Sequence, residues 1–214
     1  SLAIVARSLY VTSPEGETGK GMVALGALDL LTRRVGRIGV FRPIVRSDDQ
    51  HDYVLELLLD HQGVDMPYES AAGVSYDRVH SDPDAAMSTI VDRYHEAAAN
   101  RDAMIVVGSD YTGVGSPTEF SYNARVAANL GAPVLLVVHG RGRSPHDVRT
   151  VADMATTEIA ARYGRLLAIV ANRVDPDQLD AMRDALVGPV PAYVIPQEPF
   201  LTAPTVGDLL EACG

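Results

Sequence analysis

The stretch SPEGETGKGM, residues 13–22, places Gly16, Gly19 and Lys20 between two apolar runs, Leu9-Tyr10-Val11 before it and residues 22–31 after it. Glycines let successive backbone N–H groups curl around an anion, and a helix that follows aims its positive end at the same point. Lys20 stands where a lysine reaches the outer phosphates of a nucleotide. Strand, loop and helix are expected in that order, which is the context a phosphate-binding loop requires. Two positions depart from the pattern: Pro14 stands where a glycine opens it, and Gly21 stands where Ser or Thr holds Mg²⁺.

Three further stations belong to the same chemistry. An acid at the end of a neighbouring strand normally shares the Mg²⁺. Here the matching run, AMIVVGSDYTG, ends its apolar part at Val107-Gly108, and its nearest acid is Asp110, which either reaches a metal or caps a turn. Asn172, at the end of LAIVAN, offers both a donor and an acceptor to a purine edge, or ties down its own turn. Arg42 follows another strand and lies at the carboxyl edge of the expected sheet, where ligands of such folds bind. The cofactor-binding candidates are therefore Thr18, Gly19, Lys20, Gly21, Arg42 and Asn172. No catalytic residue and no metal ligand is assigned. The six histidines lack HExxH spacing, no GxSxG elbow is present, and His139 follows a strand on the ligand edge.

These stations need a scaffold. Apolar runs at residues 8–12, 37–41, 104–108, 134–138, 167–171 and 192–195 read as strands, several apolar throughout, as in a parallel sheet covered on both faces. Helices are expected at 19–34, ended by Gly36, and at 49–60. Asp82-Pro83, Ser144-Pro145 and Asp175-Pro176 each read as an N-cap followed by a first-turn proline, opening helices to residues 100, 163 and 186. Thr205 with Asp208 caps a last short helix. Residues 63–81 read as an irregular insertion. Strands alternating with helices predict one α/β domain over residues 1–214, a doubly wound, mostly parallel sheet with helices on both faces.

Bulk properties exclude several classes. The 214 residues are 47% hydrophobic and 21% charged, enough for a real core and too apolar for disorder. A net charge of -10 argues against nucleic-acid binding, which needs a basic footprint. The single cysteine, Cys213, forms no internal disulfide. No apolar run is long enough to span a membrane and the first residues do not read as a signal peptide, so a cytoplasmic protein is expected.

VTSPEGETGKGMVALGALDLL, RIGVFRPI and LAIVANRVDP resemble the dethiobiotin synthetase-like P-loop family. With VVGSDYTGVGSPTEFSYNARVAANLGAPV and YVIPQEPFLTAPTVGDLL, nearly the whole chain resembles the N-terminal domain of long-form phosphate acetyltransferases, particularly actinobacterial ones. That resemblance implies a P-loop NTPase-like fold within a longer enzyme that interconverts acetyl-CoA and phosphate with acetyl phosphate and CoA. It implies a regulatory and oligomer-supporting role, with the remaining domains and a second copy as partners and a small-molecule effector. The pattern of the active synthetases is matched at Thr18, Gly19, Lys20 and Asn172. It is lost at Gly21, at Arg42 (their lysine) and at Val107 (their acid). The expected ligand is a weakly held nucleotide or another phosphorylated metabolite. An ATP-dependent dethiobiotin or cobyrinic acid a,c-diamide synthase-like enzyme, and a purely structural domain, are the alternatives.

Overall fold

The computed structural model describes residues 7–109 and 117–198. Seven strands are β1 (Arg7–Thr12), β2 (Ile38–Val45), β3 (Ala72–Ser75), β4 (Ala103–Val107), β5 (Val134–His139), β6 (Leu166–Val174) and β7 (Ala192–Pro196). They form one sheet in the order β3-β2-β4-β1-β5-β6-β7, parallel at every pairing. Helices are α1 (Lys20–Thr32), α2 (Tyr53–Leu59), α3 (Tyr68–Ala71), α4 (Tyr76–Ser81), α5 (Pro83–Ala98), α6 (Pro117–Asn129), α7 (Pro145–Ala161) and α8 (Leu179–Ala185), with a 3-10 turn at Pro176–Gln178. None of the described helices is long and apolar enough to cross a membrane.

The apolar strands are explained by two cores. Val11, Val40, Ile105, Val107, Leu135 and Val137 face α1 and α2, packing with Ala24, Leu28, Leu55 and Leu58. Their chain neighbours Tyr10, Phe41, Met104, Val106, Leu136 and Val138 face the other way, against α5, α6 and α7. Each strand alternates faces yet stays apolar, because both faces are buried. Each fully buried Leu, Ile or Phe contributes about 1.5–3 kcal/mol. The doubly wound α/β fold expected from the pattern is present.

Three local readings change. The segment 63–81 is not an irregular insertion: it contains α3, β3 and α4. β3 carries a single β-branched residue, Val74, so propensity hides it. Its Gly73 runs so close to β2 that a Cβ there would lie 2.1 Å from the Pro43 carbonyl oxygen. α6 was not expected at all; Phe120, Ala124 and Ala127, spaced one turn apart, bury one face of it. α1 ends at Thr32 with Arg33 in right-handed geometry, and Gly36 lies beyond the cap without a left-handed φ. The last short helix, Asp110 and Cys213 lie outside the described residues.

Two of the three expected caps form. Asp82 Oδ1 accepts from Ala85 N–H at 3.0 Å, and Ser144 Oγ accepts from Asp147 N–H at 3.2 Å. Asp175 makes no side-chain cap; its Oδ2 accepts from Gly142 N–H at 2.9 Å and ties two loops together. Asp82→Ala is expected to cost about 1 kcal/mol, which lowers the melting temperature by roughly 2–4 °C. Chemical denaturation with the slope unchanged checks it.

Candidate functional site

β1 is central, and the chain leaves it on one side toward β2 and returns across it from β4 to β5. Ligands of open α/β sheets bind at the carboxyl ends of the strands at such a reversal. The loop of residues 13–19 sits there, between β1 and α1. Glu17 and Gly19 take left-handed φ values of 55° and 73°, which coil the loop back onto the start of α1. Gly19 is the residue before the helix and makes no side-chain cap to its first amides.

Three strand ends hold this loop. From β6, Asn172 Nδ2 donates to Thr18 O at 2.8 Å and an Arg173 guanidinium N–H donates to Glu17 O at 2.9 Å. At β5, His139 N–H donates to Glu15 Oε1 at 3.0 Å, and Arg143 joins the same carboxylate. Beyond β4, the Ser109 carbonyl accepts from Lys20 Nζ at 3.0 Å. The lysine is 3% exposed, so its ammonium is folded inward onto the loop's own surroundings. Thr18 is equally buried, at 2%.

Ser109 is itself fixed from behind. Asn123 on α6 donates from Nδ2 to Ser109 Oγ at 3.0 Å, and its Oδ1 accepts from Ser109 N–H at 3.1 Å and from the Tyr10 hydroxyl at 2.8 Å. Burial pushes the Tyr10 phenol far above its ordinary pKa, against the opposing pull of Arg42, so it remains a donor. At the end of β5, burial, and then the Arg143 cation, hold the His139 imidazole below its usual value, neutral at pH 7.

The candidates separate by placement. Thr18, Gly19, Lys20 and Asn172 meet at the loop. Asn172 does not tie down its own turn; its amide nitrogen is spent on Thr18, 154 residues away. Gly21 faces α2: a Cβ on it would lie 3.4 Å from Val54 Cγ1. Arg42 is 1% exposed. Its Nε lies 3.2 Å from Asp52 Oδ1, and it donates to the Val107 oxygen at 3.3 Å and to the Gly108 oxygen. It therefore shapes the strand end that carries Ser109 and stands behind the loop. The sequence carried no signal for Tyr10, Asn123, Glu15, Arg143 or Val54, because each matters through a partner far along the chain. Among the described residues no group of three or more His, Cys, Asp and Glu could hold a metal ion.

Beside the loop a cavity of about 1020 Å³ opens between α1 and β6–β7. Gly19, Asn172 and Arg173 line one end, and Met22, Leu30 and Val194 line the apolar remainder. The arrangement offers backbone donors, cations and an apolar wall: a place for an anion carrying a larger organic group.

The profile of the family described as AAA domain matches residues 7–205. The phosphate acetyltransferase of Nitratidesulfovibrio vulgaris is 28% identical over 227 residues, covering 98% of this chain and 32% of that protein. That of Synechocystis sp. is 30% identical over 206 residues, covering 91% and 30%. The chain thus spans about a third of the length of these curated relatives. Among solved structures, it is similar to the septum site-determining protein MinD with Mg-ADP from Pyrococcus horikoshii, with TM-score 0.53, 15% identity, and coverage of 92% and 84%. The ParA family ATPase of Chlorobium tepidum gives 0.52, 14%, 94% and 87%. At these identities the likeness is one of fold.

Proposed function

Because the chain belongs to the AAA domain family, we propose that it is the P-loop domain of a longer phosphate acetyltransferase, binding a nucleotide or another phosphorylated metabolite without turning it over. It forms one domain of that cytoplasmic enzyme, and its role there is to regulate and to support assembly with the remaining domains and a second copy. The likeness to two phosphate acetyltransferases supports the parent reaction, acetyl-CoA and phosphate to acetyl phosphate and CoA.

One observation carries the non-catalytic part of the reading. The loop keeps its anion cradle, but the position after Lys20 is a glycine whose missing side chain would meet Val54 of α2. The residue after Lys20 thus supplies no hydroxyl to a metal, and β4 ends in Val107, which is 0% exposed and faces the core. Positioned metal and charge stabilisation make up most of phosphoryl-transfer catalysis. A loop that keeps Lys20 but has Gly21 and Val107 at these two stations is read as binding without transfer.

The test is a thermal-shift titration with pyrophosphate, ATP, ADP and CoA, with and without Mg²⁺. A ligand at a hundredfold excess over its Kd stabilises by about 2.7 kcal/mol, a rise of roughly 5–10 °C for a chain of this size. Lys20→Met should abolish the rise while circular dichroism stays unchanged. Magnesium-dependent ADP release would overturn the non-catalytic reading, and a flat screen would overturn ligand binding.

A further inference from the structure

The binding loop contains an acid, which an anion site should avoid. Glu15 lies in the middle of residues 13–19, and its N–H donates to Ser13 Oγ at 3.3 Å. Its carboxylate is only 19% exposed and is fully engaged from the far side. Arg143 Nη1 donates to both carboxylate oxygens, Oε1 at 2.9 Å and Oε2 at 2.7 Å, and His139 N–H also donates to Oε1. The loop's other acid, Glu17, is exposed. Arg143 belongs to the turn between β5 and α7, 128 residues away, so local loop geometry alone does not account for this contact.

We propose that Glu15 and Arg143 form a clasp that both shapes the anion-binding loop and cancels its charge, making Arg143 a positioning residue for a phosphorylated ligand. The proposal rests on reading the loop as a phosphate site. A charge-assisted hydrogen bond of this length is shorter and stronger than a neutral one, and with the His139 amide on the same carboxylate it holds Glu15 in place. With Arg143 present, an incoming phosphate meets a neutral pair. Without it, the same phosphate meets an uncompensated carboxylate a few residues from Lys20. Removing the carboxylate instead leaves Arg143 as surplus positive charge beside the loop.

The two partners therefore have opposite expected effects, which a merely structural contact would not give. For pyrophosphate followed by calorimetry on the full chain, Arg143→Ala should weaken binding about tenfold and Glu15→Gln should tighten it severalfold. The double variant should return near the wild-type value. Ligand-free hydrogen exchange supplies an independent arm: Arg143→Ala should speed exchange at the His139 amide and across residues 13–18. If wild-type protein binds pyrophosphate and Arg143→Ala binds it equally well, or both single variants weaken it alike, the clasp is overturned and the proposed function stands. If wild-type protein binds no phosphate compound, the proposed function falls. The ligand-positioning role falls with it, and faster exchange in Arg143→Ala then supports only the loop-shaping part of the clasp, which unchanged exchange overturns.

Discussion

Arg42→Met is expected to destabilise the chain by about 3–5 kcal/mol, the range for breaking a buried ion pair by removing one partner. Arg42 and Asp52 are 1% and 3% exposed at the side chain, so neither charge has water to fall back on. The variant also removes the donor to the Val107 and Gly108 carbonyls. Asp52 has a second task, accepting from Leu55 N–H at 3.1 Å as the N-cap of α2. Asp52→Asn would keep that cap while discarding the charge. The double variant Arg42→Met/Asp52→Asn should therefore be more stable than Arg42→Met alone, because no charge is left buried and unpaired. Denaturant midpoints measure all three. A loss below about 1 kcal/mol for Arg42→Met, the size of an exposed pair, would contradict the buried-pair account. Function should follow structure: Ser109 is next in the chain after Gly108, so the carbonyl that receives Lys20 should move, and any ligand-induced stabilisation should shrink with it.

Gly19→Ala is the second large effect. Its φ of 73° costs an L-residue about 1–2 kcal/mol. The added Cβ would also stand 2.7 Å from Asn172 Nδ2, the atom that donates to Thr18 O. Losing that bond costs about 1 kcal/mol more, for a sum of about 2–3 kcal/mol. Asn172→Ala alone should cost about 1 kcal/mol. Because the clash and the lost bond share one atom, the double variant should cost less than the sum of the two singles. Additive costs in a urea-denaturation cycle would show that the strain at residue 19 is independent of Asn172. On the proposed reading, ligand binding should be lost in Gly19→Ala in either case, since the added Cβ displaces Asn172 from the loop that would hold the ligand.

Much of the fold was legible because its signals are short-range. Six strands announced themselves as apolar runs, since burial on both faces removes any need for polar positions. Asp82 and Ser144 were readable as caps, because a cap reaches only three residues ahead. Asp175 carried the same signature and did something else: the amide of Gly142 lay within reach of its carboxylate, and nothing in the neighbouring residues could announce that. β3 escaped notice because its four residues belong to the sheet through pairing with β2 rather than through propensity. α6 escaped because its buried residues, Phe120, Tyr122, Ala124, Val126 and Ala127, are interleaved with polar and charged ones.

The site divides along the same line. The order of residues 13–22 by itself determined a glycine-bearing loop at a strand-to-helix turn, with a lysine at the helix start and a glycine where a hydroxyl should be. Spacing along the chain is enough for that, because the loop's amides and its helix come from consecutive residues. Only the tertiary structure decided what the loop is held by and which way its charges point. Lys20 turns inward to Ser109, Asn172 reaches Thr18, Arg143 clasps Glu15, Arg42 disappears beneath the site against Asp52, and Gly21 faces Val54 of α2. The first three of these contacts join the loop and the start of α1 to separate strand ends, 89, 154 and 128 positions apart, and the sheet's strand order brings them together. Packing of the parallel strands sets those distances, and no local pattern of residue types encodes them.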